Sequence, residues 1–188
     1  MVVGCLTDGI NEVIATTLNN AAPMGIICKG NRHTMVVFLG SATATNIERD
    51  GWIVANIVHD PMLFVMTAFS DIPLSQLHSF DVGGIQMQRL LCADSWIAYT
   101  TTIQNKTKDK ILVSLTVQEE SIRPCVPRAV NRGFNSLVEA TVHATRFVIT
   151  KDPHLAQCIR YHGDMVKKCG SHKEKEAYSL LLEYLQRD

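Results

Sequence analysis

The 188-residue sequence predicts an α+β fold, a small and mostly antiparallel β-barrel followed by about three C-terminal helices. Three observations carry this. The first β-branched runs are separated by turns too short for the crossovers that parallel strands need. The chain then changes character near residue 122, from Thr-, Val- and Ile-rich segments to apolar residues at helical spacing. Finally, about six strand-like runs with two short helices between them fit a barrel better than a doubly wound sheet.

Ile10–Leu18, Ala21–Cys28 and Arg32–Leu39 read as a three-stranded meander, turned at Asn19-Asn20 and at Lys29-Gly30-Asn31. Residues 40–51 read as a turn and a short helix closed by Gly51, in which Thr45 and Glu48 have capping-box spacing. Trp52–Val58 is a strand apolar on both faces. Asp60 and Pro61 then supply an N-cap and a first helical residue for a helix through Phe69. Residues 73–88 carry a weak signal. Two further strands, Ala93–Gln104 and Lys110–Glu120, flank the polar turn Asn105–Asp109.

The expected boundary between residues 1–122 and 123–188 lies at Arg123-Pro124-Cys125-Val126-Pro127, where two prolines stiffen the chain. Beyond it, Phe134, Leu137, Val138, Thr141, Val142, Thr145 and Ile149 mark one helix. Leu155, Cys158, Ile159, His162, Val166 and Cys169 mark a second, ending at Gly170. Ser171 opens a third with Glu174 three residues on.

Composition excludes several functions. Lys+Arg and Asp+Glu are both 18, so no global basic field exists to hold a nucleic acid. The neutrality is nevertheless split, −4 over residues 1–122 and +4 over 123–188. No apolar run approaches the ~20 residues of a membrane span. The amino terminus lacks the features of a secretory signal, so the chain is expected to be cytoplasmic. The six cysteines, Cys5, Cys28, Cys92, Cys125, Cys158 and Cys169, are scattered without a C-x-x-C and read as reduced thiols.

The segment richest in potential chemistry is Gly40–Asn46, where Ser41, Thr43, Thr45 and Asn46 gather hydroxyl and amide groups at a helix start. Free N–H groups and a partial positive charge there suit a phosphate ester, while simple capping explains the same residues equally well. Arg32 and Arg49 are the nearby cations, with Arg132 and Arg146 further along the chain. Glu139, His143 and Arg146 share one helix face. They either line a pocket, His143 serving as proton donor, or form a surface stripe. His59, His154, His162 and His172 lack metal-ligand spacing and no H-x-x-x-H occurs, so no metal site is expected. No G-x-S-x-G elbow supports a serine hydrolase.

Ser41-x-Thr43-x-Thr45-Asn46-Ile47, followed by Gly51, Val54 and Asn56-Ile57, resembles the FMN-binding split-barrel flavoproteins of the flavin reductase type, related in fold to the pyridoxamine-phosphate oxidases. The opening INEVIATTL, Ala22-Pro23-Met24-Gly25-Ile26, Phe38-x-Gly40-Ser41 and Asp60-Pro61-x-x-Phe64 more closely resemble an archaeal family of uncharacterised proteins with that fold. Asn131-Arg132-Gly133-Phe134 and Glu139-Ala140-x-Val142-His143-Ala144-Thr145-Arg146 are similar to the first helix of that family's C-terminal extension.

The resemblance implies a homodimer with FMN near the subunit interface. Ser41, Thr43, Thr45 and Asn46, with Arg32 as a candidate cation, would hold the phosphate. The Pro23–Ile26 strand would lie along the flavin ring with Met24 packed on it, and Asn56 would reach a ring carbonyl. It further implies an oxidoreductase with an unidentified small-molecule or protein electron partner. The alternative is a non-catalytic flavin-binding or dimerisation module.

Overall fold

The computed structural model describes residues 5–124 and 128–187. Cys125 and the rest of the expected Cys125-Val126-Pro127 connector lie outside the described residues. The chain forms two compact units, one of residues 1–59 and 71–125 and one of residues 60–70 and 126–188.

In the first unit, β1 (Gly9–Thr17), β2 (Asn20–Lys29) and β3 (Arg32–Phe38) form the expected meander. Its first turn is Leu18-Asn19, with Asn19 in the left-handed region at φ 55°. After α1 (Ala42–Asp50) come β4 (Trp52–Ile57), β5 (Leu77–Val82), β6 (Ile85–Leu90), β7 (Ser95–Lys106) and β8 (Lys110–Ile122). Six strands close into an antiparallel barrel in the order β1-β2-β3-β8-β7-β4. Alternating residues fill it, among them Val13, Ile26, Met35, Val37, Ile53, Ile97, Ile111 and Val113, all buried.

The weakly patterned stretch before residue 91 is a hairpin, β5–β6, turned at Gly83-Gly84 with both glycines at positive φ. It explains why β4 is apolar on both faces. Ile53 and Ala55 point into the barrel, while Trp52 and Val54 pack outward with Val82 and Met87 of the hairpin.

The second unit holds α2 (Pro61–Phe69), α3 (Arg132–Thr150), α4 (Pro153–Cys169) and α5 (His172–Arg187). Asp60 caps α2 through Met62 N, and Glu174 accepts from Ser171 N at 2.7 Å, completing the expected box at α5. The unit's core joins Val65 of α2 to Leu137, Ala140 and Ala144 of α3, Ile159 and Val166 of α4, and Ala177, Tyr178 and Leu181 of α5.

The expected split at residue 122 therefore differs from the observed one, since α2 packs with the helices. Its sequence PMLFVMTAF has no polar face to expose, and α3 and α5 offer apolar partners. Phe64 meets Phe134 edge to face at 5.8 Å, and Phe69 stacks on Tyr184 at 5.4 Å. Gly163 of α4 is required by close packing, because a Cβ there would collide with the Tyr178 ring, whose hydroxyl donates to the Ile159 carbonyl.

Candidate functional site

The start of α1 is set by Ser41. Its backbone is extended (φ −82°, ψ 151°), its Oγ accepts from Ala44 N at 3.2 Å, and its carbonyl accepts from Thr45 N. Thr45 thus lies inside the helix and its hydroxyl donates back to the Ser41 carbonyl. The expected Thr45–Glu48 capping box does not form, and Glu48 instead meets Lys106. Ser41 Oγ also donates to the Phe38 carbonyl, fixing α1 to the end of β3. Among the described residues, none accepts the first-turn amides of Ala42 and Thr43, which are the donors that an anion at a helix start would use.

A second feature lies on β2. Its register with β3 runs only from Ile26↔Met35 to Lys29↔Arg32, whereas β1 pairs with β2 from Asn20 to Cys28. The main chain of Pro23–Gly25 consequently has no strand on its β3 side, and Val36–Phe38 of β3 pair only with β8. Near this divergence α1 packs against β1, β2 and β3, with Ala44 and Ile47 sunk into the barrel core. Thr43 Oγ1 accepts from Asn20 at 3.0 Å, and Asn46 donates to Thr17 Oγ1 and to the Leu18 carbonyl. These bonds clamp the β1–β2 turn to α1. From the other side Gln88 accepts from Asn19 N at 2.6 Å.

The structure thus brings Ser41, Thr43, Thr45 and Asn46 to one helix start, next to the turn that leads into Pro23, Met24, Gly25 and Ile26. It divides their roles. Ser41 and Thr45 stay accessible, while Thr43 and Asn46 are buried and engaged with the turn.

Three expectations change. Met24, half-buried, packs against the barrel core, because it shares its strand face with buried Ile26. Arg32 stands at the opposite end of β3 from Ser41, about 20 Å away at strand rise, and cannot serve the same chain's helix start. Asn56 is fully buried with both ends used. Its amide nitrogen donates to the Ile14 carbonyl, Thr16 Oγ1 and the Val54 carbonyl, and its oxygen accepts from Leu90 N at 2.8 Å. It ties β1, β4 and β6 together from a fully buried position. Arg49, the other local cation, is held by Asp50 at 2.5 Å and reaches Asn46 Oδ1.

Sequence reasoning missed Thr17, Asn20 and Gln88. Asn20 carried a turn signal, but its partner lies 23 residues away and Gln88 lies 69 from Asn19.

Inside the barrel His33 Nδ1 and the Tyr99 hydroxyl are 3.0 Å apart. Burial lowers the His33 pKa and raises that of Tyr99, so both stay neutral near pH 7.

In the helical unit, Glu139 and His143 of α3 meet His162 of α4, their ligand-type atoms all within 4.8 Å of one another. Spacing along one helix had given no reason to expect a metal-ligand grouping, which needs the α3–α4 pairing. Burial lowers the His143 pKa, and neighbouring His162 lowers it further. Arg146 completes the expected face only through its charge.

Comparison with known proteins places these features in a family. A model described as "protein of unknown function (DUF447) N-terminal domain" matches residues 11–123, and one described as "protein of unknown function (DUF447)" matches residues 131–183. The chain belongs to the DUF447 family. The DUF447 chain is 34% identical to an FMN-bound protein of the same family from Methanosarcina mazei, over 95% of this chain and 96% of that one, with a TM-score of 0.89. It is also similar in fold to the 2-nitrobenzoate 2-nitroreductase of Pseudomonas fluorescens, at 19% identity and a TM-score of 0.50, covering 65% of this chain and 68% of the other. The expected α+β barrel with C-terminal helices is therefore the fold of this DUF447 protein. No helix among its described residues is long and apolar enough to cross a membrane.

Proposed function

We propose that this DUF447 protein binds FMN and works as a homodimeric oxidoreductase of the flavin reductase type. The observation that carries the reading is the unpaired Pro23–Gly25 edge of β2 next to a hydroxyl-bearing helix start, in a chain 34% identical to a protein that is FMN-bound.

The donor set fits the cofactor. The amides of Ala42 and Thr43 would hold the phosphate, joined by the hydroxyls of Ser41 and Thr45 once these turn from the Phe38 and Ser41 carbonyls to which they now donate, and the free main-chain groups of Pro23–Gly25 would hydrogen-bond the ring edge. Thr43 and Asn46 would act behind them, holding the β1–β2 turn in place. FMN would supply the capacity to take and pass electrons in pairs. The protein's own contribution would be to hold the phosphate and orient the ring for a small-molecule or protein electron partner.

Dimerisation is supported by an apolar outer face. Val36 and Leu112 lie side by side on β3 and β8, and Phe38 next to them is 59% exposed. That face adjoins the part of β3 that diverges from β2, so a second copy packed there would cover the ring site.

The test is FMN titration of purified, flavin-stripped protein. Saturation at one FMN per chain is expected, and Ser41→Ala with Thr45→Ala should weaken it by ~5- to 30-fold, two neutral hydrogen bonds at about 1 kcal/mol each. Absence of FMN uptake by the wild type would overturn the reading. Unchanged affinity in the double variant would move the phosphate elsewhere. Anaerobic reduction of the bound flavin by NADH or NADPH tests the oxidoreductase assignment, and light scattering of Phe38→Glu tests the dimer face.

A further inference from the structure

We propose that Glu139, His143 and His162, all in the helical unit, form a binding site for a borderline first-row divalent cation of the zinc type. The cluster is built across an antiparallel helix pair. Lys151, left-handed at φ 53°, turns the chain from α3 into α4 with Asp152 as the next N-cap, so the C-terminal part of α3 runs beside the N-terminal part of α4. Glu139 and His143 sit one turn apart on α3, and His162 faces them from α4.

The side chains are those of a metal site in composition and in state. Two imidazoles and one carboxylate make a mixed N2O donor set, which suits zinc and its neighbours and leaves a fourth position open for water or a substrate atom. Nδ1 of His143 and Nδ1 of His162 are both buried and have no hydrogen-bond partner among the described residues. A buried imidazole nitrogen normally finds a donor or acceptor. Two of them left unpartnered within one cluster mark a place where something outside the chain completes the bonding.

The rings stack at 5.5 Å between centroids and 27° between planes, close enough for small χ2 rotations to aim both at one ion. Ligand atoms on a tetrahedral zinc stand roughly 3.3 Å apart. Closing from the 4.8 Å bound therefore needs at most about 1.5 Å for any pair, supplied by the exposed Glu139 side chain for its own distances and by rotation of the rings for the distance between the two histidines.

The other titratable groups whose field reaches His143 are Arg146 and His154. His154 instead approaches Cys158 on α4, its Nδ1 3.9 Å from the sulfur. That pair is a natural competitor and serves as the control.

The experiment uses the untagged full-length protein with its own flavin content, treated with a chelator and titrated with Zn2+ by calorimetry. One ion per chain is expected, with a Kd below ~10 μM. His143→Gln and His162→Gln should each weaken it by tenfold or more, and Glu139→Gln by less, while His154→Gln with Cys158→Ser leaves it unchanged. Substitution by Co2+ in the wild type gives a readout that needs no variant to fold, and intense visible ligand-field bands of a four- or five-coordinate nitrogen-containing site are expected. The absence of a one-per-chain phase overturns the proposal. So do a weak octahedral cobalt spectrum, unchanged affinity in both histidine variants, and loss of binding in the His154/Cys158 variant.

Discussion

Two buried polar positions, one in each unit, are treated in opposite ways. In the barrel, Asn56 is wholly enclosed and makes four hydrogen bonds to three strands. In the helical unit, the histidine pair of α3 and α4 is enclosed at Nδ1 and makes none through that atom among the described residues. A satisfied buried amide is scaffold, because its bonds hold in every state of the protein. An unsatisfied one costs free energy continually unless a ligand arrives. Polarity in the interior is thus a poor guide to function until the partners are counted.

The contrast can be broken from either side. Asn56→Leu strips the bonds to Leu90 N and the β1 carbonyl while keeping volume, and should cost about 3–4 kcal/mol of stability, measured by urea unfolding. A loss under 1 kcal/mol would show that β6 is held by other means. Gly163→Ala comes next. Forcing a methyl against Tyr178 should cost ~2–3 kcal/mol and loosen the α4–α5 contact, seen as faster amide exchange near Ile159.

The smallest effect expected is a pH dependence inside the barrel. Burial depresses the folded pKa of His33 below its ordinary value of 6.5. The stability it contributes is complete above about pH 6.5 and is lost as pH falls toward the folded pKa, since the unfolded chain takes up the proton first. His33→Gln should flatten the stability profile between pH 7 and 5. An equally steep profile in the variant would assign the dependence to other groups.

What the sequence disclosed was local. Gly51, Asp60-Pro61 and Ser171 with Glu174 mark ends that the structure keeps, because a cap acts on backbone within four residues. The meander was legible for the same reason. The Thr45–Glu48 box had the right spacing but lost to Ser41, which lies four residues earlier and caps the helix first. The β5–β6 hairpin was masked by the polar residues of HSFDV and IQMQ, although Gly83-Gly84 supplied its turn signal.

The candidate site was half legible. Ser41 and Thr45 follow from the helix start, and the Pro23–Gly25 segment from the family resemblance. Why that segment is available follows only from where β3 stops pairing. Where Asn56, Met24 and Arg32 lie was not legible, because strand phase and strand length, rather than residue type, decide which way they point and how far they reach.

The unpaired part of β2 raises a matter of self-protection. A bare strand edge invites any extended peptide, including another copy of the same sequence, to add to the sheet. Proline is tolerated in strands where its missing N–H faces outward, and Pro23 sits within this edge. Lacking an N–H, Pro23 offers an incoming strand one donor fewer, whereas a flat molecule needing only one or two main-chain contacts is not hindered. One residue thereby makes the edge a poorer template for another strand than for a small guest.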